Sequence, residues 1–181
     1  MLPNLTLSRE PLQTLKVDAI AYGAKDTGEM GGGAAAAILA AAGPDILTEL
    51  RSSMTGSSRR VGDVAITGSF RLQSLGVRWV VHVISIIKHT PSGAHCPEPE
   101  RLRDGTATAL KSATALGVRS IAFSALGTGE GRVTPRDAAG YMIEGIKAFR
   151  LSHPDANPAI TLALPNFADF EAFLSAIHNS R

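Results

Sequence analysis

Apolar residues along this chain fall into short blocks separated by glycine- and proline-bearing stretches, and the period within each block predicts its element. Leu5-Thr6-Leu7 alternates weakly and predicts a short first strand. After Pro11, Val17-Asp18-Ala19-Ile20-Ala21-Tyr22 is a near-continuous apolar run of strand length. A polar loop over 23–30 leads to Gly31-Gly32-Gly33. From Ala34 the composition is almost pure alanine with Ile38 and Leu39, a strong helix former, until Gly43-Pro44 stops it. A second, short helix is predicted over 45–51. Residues 61–70 and 78–87 read as strands. The second of these, through Trp79-Val80-Val81-His82-Val83-Ile84, is apolar on both faces, as a strand covered on both sides must be.

Residues 88–99, rich in proline, histidine and glycine, predict a loop. Residues 100–116 place Leu102, Ala109, Leu110, Ala113 and Leu116 on one helical stripe. A buried strand over 120–126 precedes the turn Gly127-Thr128-Gly129-Glu130-Gly131. A helix over 135–149 then begins with Pro135 in its first turn and Thr134 as N-cap. After a linker-like loop, residues 160–164 give a last strand and 167–178 a terminal helix. Strands that alternate with helices predict an α/β fold with a largely parallel sheet covered on both faces. No repeat and no shift of composition divides the chain, so a single domain over 1–181 is expected.

Such sheets bind ligands beyond the carboxyl ends of their strands. Both glycine-rich stretches sit at strand-to-helix junctions and so belong on that edge. Glycines let the backbone approach a ligand without interference from Cβ, and the helix after Gly33 offers unpaired N–H groups and a partial positive charge to a phosphate. Two such loops facing each other suit a diphosphate. Neither matches G-x-G-x-x-G or a GK[ST] loop.

Composition narrows the field. The net charge of +2 is too small and too evenly spread for a nucleic-acid track or an anionic membrane surface. Cys96 is the single cysteine, which suits a reducing compartment, and the N-terminus has no secretory pattern, so a cytoplasmic location is expected. The most apolar stretch, Ala34 to Ala42, is about half the ~20 residues a membrane span requires.

Three segments, in order and at matching spacing, resemble the macrodomain family from about Leu5 to Ile177. Val17-Asp18-Ala19-Ile20, the three glycines and an alanine-rich helix ending Ala42-Gly43-Pro44 form the first. The second runs from Gly62-Asp63-Val64-Ala65-Ile66-Thr67-Gly68 to Trp79-Val80-Val81-His82. The third runs from Gly117-Val118-Arg119-Ser120-Ile121-Ala122-Phe123 to Leu126-Gly127-Thr128-Gly129. The resemblance implies a three-layer α/β/α fold with a mixed, mostly parallel sheet, and ADP-ribose or an ADP-ribosylated protein or nucleic acid as partner, with no cofactor or metal. It assigns ligand binding to Gly31, Gly32, Gly33 and Ala34, to Gly127, Thr128, Gly129, Glu130 and Gly131, and to Asn166 near the adenine.

The chain departs from the family where catalysis is concerned. Tyr22-Gly23-Ala24-Lys25 stands where hydrolytic members carry N-A-A-N, so the asparagine that holds the distal ribose is Lys25. Ala35 replaces an aspartate frequent in active members. Gly131, followed by Arg132, stands where the second loop often has an aromatic residue. The acidic residue that contacts adenine has no clean match, Glu10 being offset by one. Lys25, Asp26, Glu29 and Glu130 are the acid/base-capable groups near the expected distal ribose, and Lys25 with Glu130 is the pair assigned to catalysis, since some members use a lysine with an acidic partner. The expectation is therefore ADP-ribose binding, with hydrolysis by a variant mechanism left open as one reading. The alternatives are a non-catalytic reader and a degenerate interaction domain. His89, His95 and Cys96 lack zinc-site spacing, and His82 and Tyr22 read as core residues.

Overall fold

The computed structural model describes residues 2–56 and 58–179. The single-domain span expected from the sequence also includes Met1, Ser57, Ser180 and Arg181, which lie outside the described residues. Strands β1 (Leu5–Ser8), β2 (Ala19–Lys25), β3 (Val64–Gly68), β4 (Trp79–Ile86), β5 (Ser120–Ser124) and β6 (Ala159–Ala163) form one sheet in the order β1-β6-β5-β2-β4-β3. Every neighbouring pair is parallel except β3 with β4. Helices α1 (Gly33–Ala42) and α2 (Asp45–Met54) cover one face, and α3 (Leu102–Ala115), α4 (Pro135–Ser152) and α5 (Phe167–Asn179) cover the other.

The period of two along β2 builds this arrangement. Ala19 and Ala21 enter a core with Leu110, Met142, Phe149 and Phe173, whereas Ile20, Tyr22 and Ala24 enter a second core with Ile38, Ile46 and Leu50. The fold is thus the expected three-layer α/β/α with a mixed, mostly parallel sheet. Thr134 caps α4: its Oγ1 accepts from the Asp137 amide at 3.1 Å and donates to the Asp137 carboxylate at 2.8 Å.

Several boundaries differ from the sequence expectation, among them the end of α4, expected at residue 149 and observed at Ser152. Residues 23–25, read as loop, continue β2 because β4 runs alongside and supplies partners as far as Ile86. The register slips there: Ala24 pairs with Ile84 and Lys25 with Ile86, which leaves Ser85 as the extra residue of a bulge. The strand expected over 61–70 is confined to Val64–Gly68. Gly62 packs so tightly on α3 that a Cβ would lie 2.8 Å from the Arg101 carbonyl oxygen, and Phe70 turns left-handed (φ 52°) into a 3-10 turn. Residues 125 and 126 leave β5 for the turn that follows. The helix expected over 45–51 continues to Met54, whose side chain joins the core beside Leu50.

Candidate functional site

β2 and β5 are adjacent and parallel, so the loops that follow them leave the same edge of the sheet. A pocket of about 230 Å³ opens there. Gly31, Gly32, Gly33 and Ala34 line one side and Gly127, Thr128, Gly129 and Glu130 the other, with Lys25 and Ser85 between them. Of the residues assigned to ligand binding or catalysis, two stand elsewhere, and Asp26, the acid/base candidate beside Lys25, also lies outside the lining. Gly131 is buried behind its loop, where a Cβ would lie 2.5 Å from the Gly127 oxygen, and it borders a neighbouring cavity instead. Asn166 caps α5, its Oδ1 accepting from the Ala168 amide at 2.8 Å; the pocket is reached on that side by Pro165 and Asp169.

The start of α1 carries the electrostatics of the first wall. Gly32 is the N-cap, extended and without a side-chain acceptor, and the first turn holds no acidic residue. The first intrahelical bond is from the Ala36 amide to the Gly32 oxygen. The amides of Gly33, Ala34 and Ala35 are therefore the uncompensated positive end of the helix, and all three residues line the pocket.

One carboxylate spans the cleft. Glu130 Oε2 lies 2.9 Å from Lys25 Nζ, and Glu130 Oε1 lies 2.9 Å from the point a Cβ on Gly32 would occupy. The Lys25 side chain is 14% exposed against 44% for Glu130, so the cation is fixed by the sheet and the carboxylate rides on the outer loop. Asp26 and Glu29 are both engaged by Lys88. The Lys88 amide donates to Asp26 Oδ1 at 2.9 Å, and its ammonium holds Glu29 and lowers that carboxyl's pKa. Asp169 is shifted the other way: burial raises its pKa, with a hydrogen bond from Thr128 pulling it partly back.

The segment from Lys88 to Cys96 lies outside the pocket lining and contacts residues flanking both loops. It folds back on itself through paired backbone bonds between Ile87 and His95, and the Cys96 amide donates to the Gly131 oxygen at 2.9 Å. His95 Nδ1 faces Thr90 Oγ1 and the Gly93 oxygen. Cys96 is buried, and burial pushes its pKa to about 11. Among the described residues no group of three or more His, Cys, Asp or Glu is placed to hold a metal.

Tyr22 and His82 lie in the core, away from the pocket. Tyr22 Oη is 2.7 Å from His82 Nδ1 and Thr67 Oγ1 is 2.9 Å from His82 Nε2. Thr67 donates its single proton to the Gly68 oxygen, so it must accept from Nε2–H, and Nδ1 is then left to accept from tyrosine. Burial lowers the His82 pKa to about 3. Ser85 and Asp169, both in the pocket lining, went unnoticed in the sequence, as did Phe167 outside it. Ser85 is the one polar side chain in the run Val83-Ile84-Ser85-Ile86-Ile87, a visible signal. Asp169 and Phe167 lie on an ordinary-looking helix; Phe167 is 64% exposed at the start of α5, with the Arg9 guanidinium 5.8 Å from its ring centre.

Residues 22–142 match the sequence profile of the Macro domain, and the chain belongs to that family. Among its relatives, a Macro domain-containing protein of Streptomyces griseus is 35% identical over 130 residues, 70% of each chain. An uncharacterized protein of Pyrococcus horikoshii is 30% identical over 142 residues, 71% of this chain and 70% of that one. The match to an uncharacterized protein of Mycobacterium bovis, 29% identical, takes in 96% of this chain but only 45% of that protein. In three dimensions the chain is similar to a macrodomain of Oceanobacillus iheyensis with ADP, at a TM-score of 0.82 and 22% identity over 99% of this chain and 94% of that one. It is also similar to a Trypanosoma brucei macrodomain in complex with ADP-ribose (TM-score 0.77, 24% identity, 96% and 69% covered). These two likenesses establish the shared fold. No helix among the described residues is long and apolar enough to cross a membrane.

Proposed function

We propose that the chain is one macrodomain that binds ADP-ribose, free or attached to a protein or nucleic acid, between its two glycine loops. The observation that carries this reading is the uncapped start of α1 facing the second glycine loop across a single pocket. The amides of Gly33, Ala34 and Ala35 suit a diphosphate, whose charge replaces the missing cap. Phe167 offers an exposed ring for a base at the rim, and Lys25 lies at the far end, where the distal ribose belongs. The solved relative with ADP-ribose bound supports the choice of ligand. A cytoplasmic setting suits the buried thiol of Cys96.

The pocket is smaller than the roughly 300–1,000 Å³ of a site for a drug-sized ligand. Glu130 spans it, so ligand entry swings Glu130 off Gly32 and the loops part. Isothermal titration calorimetry with ADP-ribose on the wild type and on Gly32→Glu tests the reading. The substitution sets a second carboxylate against Glu130 and into the diphosphate seat. Binding by the wild type and its loss in a variant that still melts cooperatively is the expected result. Absence of binding by the wild type at high micromolar ligand would leave an interaction domain that keeps only the fold.

A second reading, cleavage of the ADP-ribosyl linkage, is favoured by the Lys25–Glu130 pair. Once released from Gly32, the Glu130 carboxylate can orient a water toward the adduct linkage while Lys25 stabilises negative charge on the oxygen that departs. Release of ADP-ribose from ester-, glycosidic- or phosphate-linked adducts, lost in Lys25→Ala, is the outcome this reading requires.

A further inference from the structure

We propose that Ser85 is a ligand-binding residue: its hydroxyl, together with the amide of Gly127, forms a two-donor clamp on the pocket floor that takes one oxygen of the bound nucleotide. The proposal rests on the ADP-ribose reading above and adds to it a residue that neither the loops nor the family resemblance assigns.

Ser85 is fully buried, and its Oγ has no hydrogen-bond partner among the described residues. A buried hydroxyl left unpaired costs about 1–3 kcal/mol, so native structures seldom keep one without a use. The β-bulge explains how it comes to be there. Regular pairing would carry β2 and β4 on in step, but the slip between Ala24 and Lys25 leaves Ser85 unmatched at the head of β4, in the lining of the pocket.

Its direction follows from Gly23. A Cβ on Gly23 would lie 2.5 Å from Ser85 Oγ and 3.3 Å from the Gly127 nitrogen. The hydroxyl is laid across the bare face of Gly23, and the Gly127 amide approaches the same face from the second glycine loop. That amide likewise finds no acceptor in the described residues. Gly127 itself is held left-handed (φ 79°) and packs on Val133 and Leu102, which fixes where its N–H points. Two unpaired donors thus converge on one floor, between the uncapped end of α1 and Lys25. Less than 1 Å² of the Ser85 oxygen is exposed, so a ligand oxygen accepts from both donors once the loops part around it. Phosphate and ribose oxygens share this chemistry, and the two sources separate experimentally.

The experiment titrates wild type and Ser85→Ala with ADP-ribose and with ADP, and follows the melting temperature of each ligand-free protein. Ser85→Ala is expected to bind ADP-ribose roughly five- to tenfold more weakly, the loss of one hydrogen bond to a ligand. Its ligand-free melting temperature is expected to rise by roughly 2–4 °C, because an unpaired polar group has left the core. An equal loss for ADP assigns the oxygen to the part both ligands share, the diphosphate or the adenosine ribose; a loss for ADP-ribose alone assigns it to the distal ribose. Unchanged affinity of Ser85→Ala for both ligands overturns the clamp, and so does weaker binding accompanied by a lower melting temperature, which marks a merely structural serine. If the wild type binds neither ligand, the ADP-ribose reading itself fails and the clamp falls with it.

Discussion

Lys25 and Glu130 meet at 2.9 Å, joining the last residue of β2 to the tip of the second glycine loop. The pair is asymmetric: the lysine is anchored in the sheet and the glutamate is half in solvent. An ion pair with one such exposed partner contributes at most about 1 kcal/mol to stability, so its purpose is local. Glu130→Gln keeps the shape and removes the charge that faces the helix amides. It is expected to tighten ADP-ribose binding by up to about fivefold in calorimetry, since a competing anion has gone. The same variant is expected to slow any release of ADP-ribose from adducts. Tighter binding with undiminished turnover would remove Glu130 from the chemistry.

Lys25→Ala is expected to act in the opposite sense on affinity, weakening ADP-ribose binding several-fold while changing the free energy of unfolding by less than about 1 kcal/mol. Paired calorimetry and urea unfolding on one preparation check both halves. A large loss of stability would mean that Lys25 is a structural cation.

The neutral His82 makes the fold sensitive to acid. Its folded pKa of about 3 lies below the ordinary histidine value of 6.5, so between these values the unfolded chain binds a proton that the folded one refuses. Its contribution is fully present above pH 6.5 and is lost as pH falls toward 3, at up to about 1.4 kcal/mol per pH unit. Urea midpoints from pH 7 to 4 should fall more steeply in the wild type than in His82→Gln. That variant starts lower at pH 7, because Tyr22 and Thr67 lose a matched partner. Parallel slopes would mean that other groups set the acid response.

The glycines of the two loops separate into pocket-facing and fold-bearing positions. A Cβ on Gly31 or Gly129 meets nothing within 4 Å and neither has positive φ, whereas on Gly131 it strikes the Gly127 backbone. Gly31→Ala and Gly129→Ala are expected to leave stability within about 0.5 kcal/mol. Gly131→Ala is expected to cost about 1–3 kcal/mol. ADP-ribose affinity measured on the two stable variants then reports how closely the ligand approaches each loop.

The order of elements was legible because both faces of the sheet are covered: continuous apolar runs such as 79–84 identify buried strands, and the alanine run after Gly33 identifies a helix. The pairing of Lys25 with Glu130 was legible through family position. The end of β2 was not, since Gly23 and Lys25 carry loop character and only the neighbouring β4 makes them strand. Gly131 and Asn166 were placed by family position, where the first supports its loop from behind and the second caps a helix. Ser85 was overlooked although a lone serine among Val83, Ile84, Ile86 and Ile87 interrupts the run. A bulge has no period, so nothing local to the sequence says that this residue faces a pocket.

The stretch between Lys88 and Cys96 grips Asp26 and Glu29 beyond one glycine loop and the Gly131 oxygen behind the other. It is a yoke in outline, tying the residues ahead of the first glycine loop to the back of the second. Its crown, at Pro91, Ser92 and Gly93, is exposed. A cut there falls outside the pocket lining, and the paired Ile87 and His95 backbones would still hold its two arms together.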